Sequence, residues 1–279
     1  MTADHVQKDR VEEFAPAKIN LTLHVTGQRS DGYHLLDSLV VFADVGDRLT
    51  IRTAPQASMT VTGPLADGVP DDARNLVMKA LAFADTTAHV DLEKHLPAAA
   101  GIGGGSSDAA ATLRGVAKLT GRGTPSDAYR LGADIPVCLI ASVARMQGIG
   151  EIVTPLPPLP PLHAVLVNPR VDVPTPQVFK AMTKRDNPPM PALQDWPDTA
   201  SLIDWLKTTR NDMEPAACAI APVITDVLTR LSKDPACLLA RMSGSGATCF
   251  ALTDTRDKAE AMASRLADTS WWVQPVTLR

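Results

Sequence analysis

The stretch Leu96–Leu113, LPAAAGIGGGSSDAAATL, sets Gly101, Gly103, Gly104 and Gly105 and two serines directly ahead of an alanine-rich run. A loop of that composition crowds bare backbone N–H groups together and ends on a helix N-terminus, where unpaired donors and the dipole both favour an anion. Its chemistry is phosphate binding. It follows neither of the two common fingerprints. A P-loop places Lys and then Ser or Thr after its last glycine, whereas Ser106 follows Gly105, and Ser106 and Asp108 stand where a dinucleotide loop needs a third glycine. A flexible Gly/Ser linker is the plain alternative, but a linker does not usually run straight into a capped, periodic helix. Ser106, Ser107 and Asp108 offer N-caps. After them Ala109, Leu113, Val116, Ala117 and Thr120 recur at helical spacing until Gly121. Gly104 is expected at positive φ, where the backbone comes close to the ligand.

Three further places carry reactive side chains. In APAKINLTLHV, Ile19, Leu21, Leu23 and Val25 point one way and Lys18, Asn20, Thr22 and His24 the other, the pattern of a strand. Lys18 and Asn20 on one face suit a polyanionic or hydroxylated ligand, and a solvated outer face is the alternative. In LGADIPVCLIA, Asp134 is expected at the edge of an apolar strand, where its pKa can be perturbed; a turn or cap residue is the plainer reading. Tyr33 and His34 follow the turn at Ser30-Asp31-Gly32, either as a ring-binding pair or as loop packing.

Around these lie the elements that must position them. Residues 1–12 are polar and expected to be frayed. Strands are expected in the apolar run through Leu39–Val41, at Arg48–Arg52 and at Met59–Thr62. An amphipathic helix over Asn75–Ala84 has Leu76, Lys79, Ala80 and Phe83 on one face, and a strand or hairpin covers Arg145–Thr154. TPLPPLPPL, Thr154–Leu162, is excluded from helix and central strand and reads as the connection between an N-terminal domain, 1–155, and a C-terminal domain, 162–279. Beyond it come a buried strand at HAVLVNP, a loop entering a helix at PRVDVPTPQVFKAM and a proline-rich loop at NPPMPALQDWPD. Helices over Ser201–Thr209, Pro222–Ser232 and Thr255–Ala267, a Gly-Ser-Gly turn before a strand in RMSGSGATCFAL, and a final strand at SWWVQPVTL complete the chain. Helices interleaved with strands able to pair antiparallel give an α+β class.

Composition narrows the partners. With net charge −4 and 4% aromatic residues, neither a nucleic-acid surface nor base-stacking platforms are expected, and a small metabolite is the expected partner. Cys138, Cys218, Cys237 and Cys249 form no CxxC pair and the six histidines show no ligand spacing, so no structural zinc site is expected. No apolar run long enough to cross a membrane and no signal-like N-terminus are present, which gives a cytoplasmic expectation. Nothing in the sequence sets an oligomeric state.

Taken in order, APAKINLTLHV, RSDGYHLLDS, RNLVMKA, GIGGGSSDAAATL, LGADIPVCL, GIGE, PTPQVF, NDMEPA and SGSGATCFAL resemble the GHMP kinases and span most of the chain. The resemblance implies a two-domain fold, with an N-terminal domain like domain 2 of ribosomal protein S5 and a ferredoxin-like C-terminal domain, and a cleft for ATP and substrate. It implies that Lys18 and Asp134 are the catalytic pair. ATP would be held by the loop from Pro97 through Gly101, Gly103, Gly104, Gly105, Ser106 and Ser107, with Asn75 and Leu76 near the adenine. The DGYH and NDMEPA segments favour the branch that phosphorylates a cytidine diphosphate-linked methylerythritol in non-mevalonate isoprenoid synthesis. Asn20, Tyr33, His34, Thr175 and Phe179 would line that substrate's pocket. Mg²⁺ is implied with ATP, with Ser106 or Asp108 as candidate ligands. Another small-molecule kinase or a decarboxylase on the same fold, and a non-catalytic nucleotide-binding regulator, are the alternatives. The chain departs from the family pattern at Ala98–Ala100, where relatives usually carry glycine, at Asp108, where many carry Asn, and in the short span from the loop helix to Asp134.

Overall fold

The polar face of the Lys18 strand is buried, and that burial governs the architecture. In the computed structural model, which describes residues 9–98 and 100–279, Lys18, Asn20, Thr22 and His24 are all at most 4% exposed. Most of the stretch expected to fray, and Ala99, lie outside the described residues. The strand itself begins at Arg10.

The N-terminal half comprises β1 (Arg10–Asn20), β2 (His24–Gln28), β3 (His34–Thr53), β4 (Ser58–Thr62), α1 (Leu76–Phe83), β5 (Ala88–Glu93), α2 (Gly104–Thr120), α3 (Ile135–Ile140), β6 (Ala144–Gly148) and β7 (Ile152–Pro155), with a 3₁₀ turn at Ala128–Arg130. The C-terminal half comprises β8 (Leu162–Asn168), α4 (Thr175–Ala181), α5 (Thr199–Lys207), α6 (Glu214–Ile220), α7 (Val223–Ser232), β9 (Leu239–Met242), β10 (Cys249–Thr253), α8 (Arg256–Ser264) and β11 (Trp272–Leu278). One mixed sheet runs β4-β5-β3-β11-β8-β10-β9, with β1, β2 and β6 also paired to β3 and β7 to β6. Among the described strands β4 and β5 pair in parallel, and an isolated parallel bridge joins Leu23 to Asn211.

The two strands expected at Leu39–Val41 and Arg48–Arg52 are one, the 20-residue β3. Gly46 permits this continuity: a Cβ there would lie 2.3 Å from the Ala15 carbonyl oxygen, where β1 crosses tightly beside its register shift at Pro16–Lys18. β3 carries β1, β2, β5 and β6, then meets β11 through Leu278 opposite Ala43 and two backbone bonds between Phe42 and Arg279, 2.7 and 2.8 Å. The largest apolar cluster joins Ile19 and Leu21 from one half to Leu166, Leu202 and Phe250 from the other.

Other expectations are corrected by local chemistry. α2 starts at Gly104 on an N-cap at Gly103, whose φ is +64°, so Ser106, Ser107 and Asp108 lie inside the helix. The αL conformation turns the loop into the helix earlier than the serines could. The apolar segment after Asp134 is the helix α3, with Asp134 at its N-cap position and Pro136 in its first turn, the place where a missing N–H costs nothing. α1 buries Val77, Ala80 and Leu81, with Asn75 as its side-chain cap. β5, α6 and β9 are additions to what the sequence predicts, and the single strand expected through APAKINLTLHV is broken between Asn20 and His24 into β1 and β2.

Candidate active site

A cleft of about 920 Å³ opens between the two halves, and Lys18, Asn20, Leu76, the loop residues Gly101 and Gly103–Ser106, and Asp134 all line it. The N-terminus of α2, a 17-residue helix, faces this cleft with its unpaired amides. Beside it the Lys18 Nζ lies 2.7 Å from the Asp134 carboxylate, with the lysine side chain 5% and the aspartate 32% exposed. The lysine is thus buried up to its charge, while the carboxylate keeps an open side.

Backbone packing sets this geometry. The Lys18 N–H donates to the Ile102 carbonyl at 2.9 Å, and a Cβ on Gly103 would lie 3.2 Å from the Cβ of Lys18. The loop therefore rests on the lysine stem. A second turn, Ser243–Gly246, grips the loop from the other half. The Ser243 hydroxyl donates to the Gly101 carbonyl at 3.2 Å, the Thr248 N–H donates to the Ala100 carbonyl at 3.1 Å, and a Cβ on Gly101 would stand 2.6 Å from the Ser243 carbonyl oxygen. Sequence reading saw the Gly-Ser-Gly turn but not its partner, because no local pattern joins residues 101 and 243.

Asn20 is oriented by donating its amide to the Ser38 hydroxyl at 2.8 Å, which leaves its buried Oδ1 with no partner among the described residues and its residue on the cleft wall. At the far end His34 stacks on Phe179, ring centroids 4.2 Å apart and planes 7° from parallel. Burial, aided by the Arg185 charge, lowers the His34 pKa. Its ring is therefore biased towards the neutral form, which has one donor and one acceptor nitrogen. Arg185 donates to the carbonyls of Phe179 and Lys180, both at 3.1 Å, and both cations line the cleft; no sequence spacing pointed to them. Tyr33 sits on the rim, 59% exposed, and Thr175 shares a 2.7 Å hydrogen bond with Ser245.

Four expected residues do not reach the cleft wall. Asn75 uses its amide to cap α1, accepting from Val77 at 2.9 Å and donating to the Pro70 carbonyl at 2.6 Å. Pro97 is buried, and Ser107 donates to the Pro16 carbonyl at 2.8 Å. Asp108 turns inward to the Lys94 ammonium at 2.9 Å. Burial pushes the Asp108 carboxyl up to about 8 against the pull of Lys94, with Asp47 adding to the rise. Among the described residues no group of three or more His, Cys, Asp or Glu could hold a metal ion. The donors facing the cleft beside the loop are the Ser106 hydroxyl and a carboxylate already engaged by Lys18. They fit a metal carried on a nucleotide's phosphates and not a protein cage.

Two family models match the chain, GHMP kinases N terminal domain over residues 73–144 and GHMP kinases C terminal over 190–270. The 4-diphosphocytidyl-2-C-methyl-D-erythritol kinase of Dinoroseobacter shibae is 59% identical, over 95% of this chain and 94% of its own. The chain belongs to the 4-diphosphocytidyl-2-C-methyl-D-erythritol kinase family. The family member from Cereibacter sphaeroides is 54% identical over 96% of this chain and 99% of its own. A crystal structure of a 4-(cytidine 5'-diphospho)-2C-methyl-D-erythritol kinase superposes with a TM-score of 0.79 at 31% identity, covering 96% of this chain and 99% of that one. A homoserine kinase from Cytophaga hutchinsonii, at 17% identity and a TM-score of 0.71, shares the fold. The α+β, two-domain GHMP kinase architecture is thereby shown for this kinase. No helix among its described residues is long and apolar enough to cross a membrane.

Proposed function

We propose that the chain transfers the γ-phosphoryl group of ATP to the 2-hydroxyl of 4-diphosphocytidyl-2-C-methyl-D-erythritol. The observation that carries this reading is the Lys18–Asp134 pair, 2.7 Å apart, facing the glycine loop and the N-terminus of α2 across one cleft. Phosphoryl transfer needs alignment and charge stabilisation more than covalent chemistry. Asp134, open on one side, accepts the proton of the attacking hydroxyl. Lys18 keeps that carboxylate aimed and offsets negative charge as it develops. The amides of Gly103–Ser106 cradle the triphosphate, and Leu76 borders the adenine. Asn20 offers its free Oδ1 to a substrate hydroxyl, while His34, Phe179, Tyr33 and Thr175 hold the cytidine diphosphate end. Mg²⁺, which supplies charge neutralisation between phosphates, would come with the nucleotide and take Ser106 as its protein ligand. The division at 1–155 and 162–279, with the proline-rich connection between them, belongs to the same reading.

Turnover of ATP with the cytidyl substrate, its uridine analogue, mevalonate, homoserine and galactose tests the assignment. Activity is expected with the first alone, because a site that hydrogen-bonds a base rejects one that leaves its polar atoms unpaired. Asp134→Asn should retain ATP binding and lose roughly 10²–10⁴-fold in kcat, the usual worth of a positioned base. Equal kcat/KM for cytidine and uridine substrates would remove the substrate name, and near-normal turnover by Asp134→Asn would remove the base.

A further inference from the structure

Beneath the glycine loop, outside the cleft, lies a cluster of three titratable side chains that the transfer reaction does not touch. The Lys94 ammonium stands between the carboxylates of Asp47 and Asp108, and all three residues are at most 3% exposed. Asp47, on β3, also accepts the backbone N–H groups of His95 and Leu96, at 2.6 and 2.9 Å. Asp108 is in the second turn of α2. The cluster therefore holds the chain on both sides of the loop: residues 94–96 where it leaves β5, and residue 108 where it has become helix. The segment between is the one whose amides face the cleft.

We propose that Lys94, bridging Asp47 and Asp108, is a positioning residue that pins the two ends of the phosphate-contacting loop together and so sets its shape for ATP. The proposal rests on the assignment of this loop to ATP given above. Three observations carry it. The ammonium lies 3.8 Å from where a Cβ on Gly104 would stand, directly under the first residue of α2. A lysine at that end of a helix opposes the dipole, so its burial there requires the Asp47 carboxylate and the Asp108 acceptor that it joins. Gly101 and Gly103, both at positive φ, give the loop little stiffness of its own, so a defined loop path needs an external tie. The remaining oxygen of Asp108, Oδ1, is buried without a partner among the described residues, a cost that fits a residue retained for placement.

Asp108→Ala is the variant that cuts the tie cleanly, since Lys94 keeps Asp47 and the Asp47 bonds to residues 95 and 96 remain. ATP affinity by calorimetry and KM for both substrates are measured on the full chain. Asp108→Ala should weaken ATP roughly tenfold or more, a displacement cost typical of residues that hold a reacting group in place, and leave the KM of the cytidyl substrate within about twofold. Asp108→Asn, which keeps an acceptor for Lys94, should recover most of the loss. Lys94→Gln cuts the same tie from the other side and should show the same asymmetry between substrates. Faster hydrogen exchange in the 97–107 backbone should accompany the loss. Unchanged ATP affinity in Asp108→Ala and Lys94→Gln, or equal weakening of both substrates, overturns the proposal while leaving the loop assignment standing. If the unmutated chain binds no ATP, the loop assignment falls and the proposal with it.

Discussion

At the scale of single residues, burial changes what each polar group does. Lys18 on β1 and His24 on β2 are both buried, yet Lys18 enters the cleft while His24 is sealed against the Pro188 carbonyl at 3.3 Å. Burial, then the Arg210 charge, lowers the His24 pKa, opposed by the Pro188 carbonyl and by the carboxylates of Asp212 and Asp37. The folded protein therefore prefers neutral His24. Below the unfolded value of 6.5 the unfolded chain takes a proton that the folded one resists. Stability is thus full above about pH 6.5 and falls as pH drops towards the lowered folded value, by at most about 1.4 kcal/mol per pH unit for one such group. His34, lowered likewise by burial and Arg185, adds to the same slope. Melting temperatures from about pH 8 to about pH 5 should show this decline, and His24→Gln should flatten part of it. An undiminished slope in the variant would assign the decline to other groups. Lys18, Asn20, Asp134 and His34 stand out in the sequence because their motifs are local, and all four line one cleft. Asp108 and Asn75 were misplaced because their partners, Lys94 and the α1 backbone, compete for side chains that otherwise look free for ligand.

Elements were legible where one period governs a stretch. α1, α2, β8 and β11 follow their apolar patterns, whereas the helix at Ile135–Ile140 reads as a strand because its short apolar run has no period to reveal. The glycine loop shows the same limit. Gly104 was expected to need positive φ, but that conformation belongs to Gly101 and Gly103, and a Cβ on Gly104 meets nothing closer than 3.8 Å. Gly101→Ala should therefore be the damaging substitution, since its methyl would strike the Ser243 and Gly246 backbone at 2.6–2.7 Å in a conformation that L-residues avoid. We expect at least a tenfold rise in KM for ATP and a fall of several degrees in Tm, on the order of 1–3 kcal/mol. Gly104→Ala should change Tm little. A Gly101→Ala protein as stable and as tight for ATP as the unmutated one would mean that the 243–246 turn does not fix the loop.

Over the whole molecule, the connection expected over Thr154–Leu162 holds a strand end at each side, with Thr154 and Pro155 in β7 and Leu162 in β8, and the sharing of one sheet and one apolar cluster across it was not legible. Strand pairing between residues 43 and 278 leaves no trace in either neighbourhood. Because Leu166, Leu202 and Phe250 pack on Ile19 and Leu21, the two halves should not unfold separately. Calorimetry should give a single transition, and residues 1–155 expressed alone should lack cooperative melting, with the exposed edge of β3 promoting association. Two resolved transitions would show that the shared cluster contributes little. The meeting of β11 with the middle of β3 bears also on how the chain reaches its native state. A strand begun at His34 waits for Leu278 to cover its last open edge, so the closing contact joins positions at opposite ends of the chain. Pairings of such high sequence separation slow the search. During synthesis on the ribosome the N-terminal half would wait, incompletely closed, until β11 emerged, so ATP-binding competence should arise late in synthesis and not with the appearance of the glycine loop.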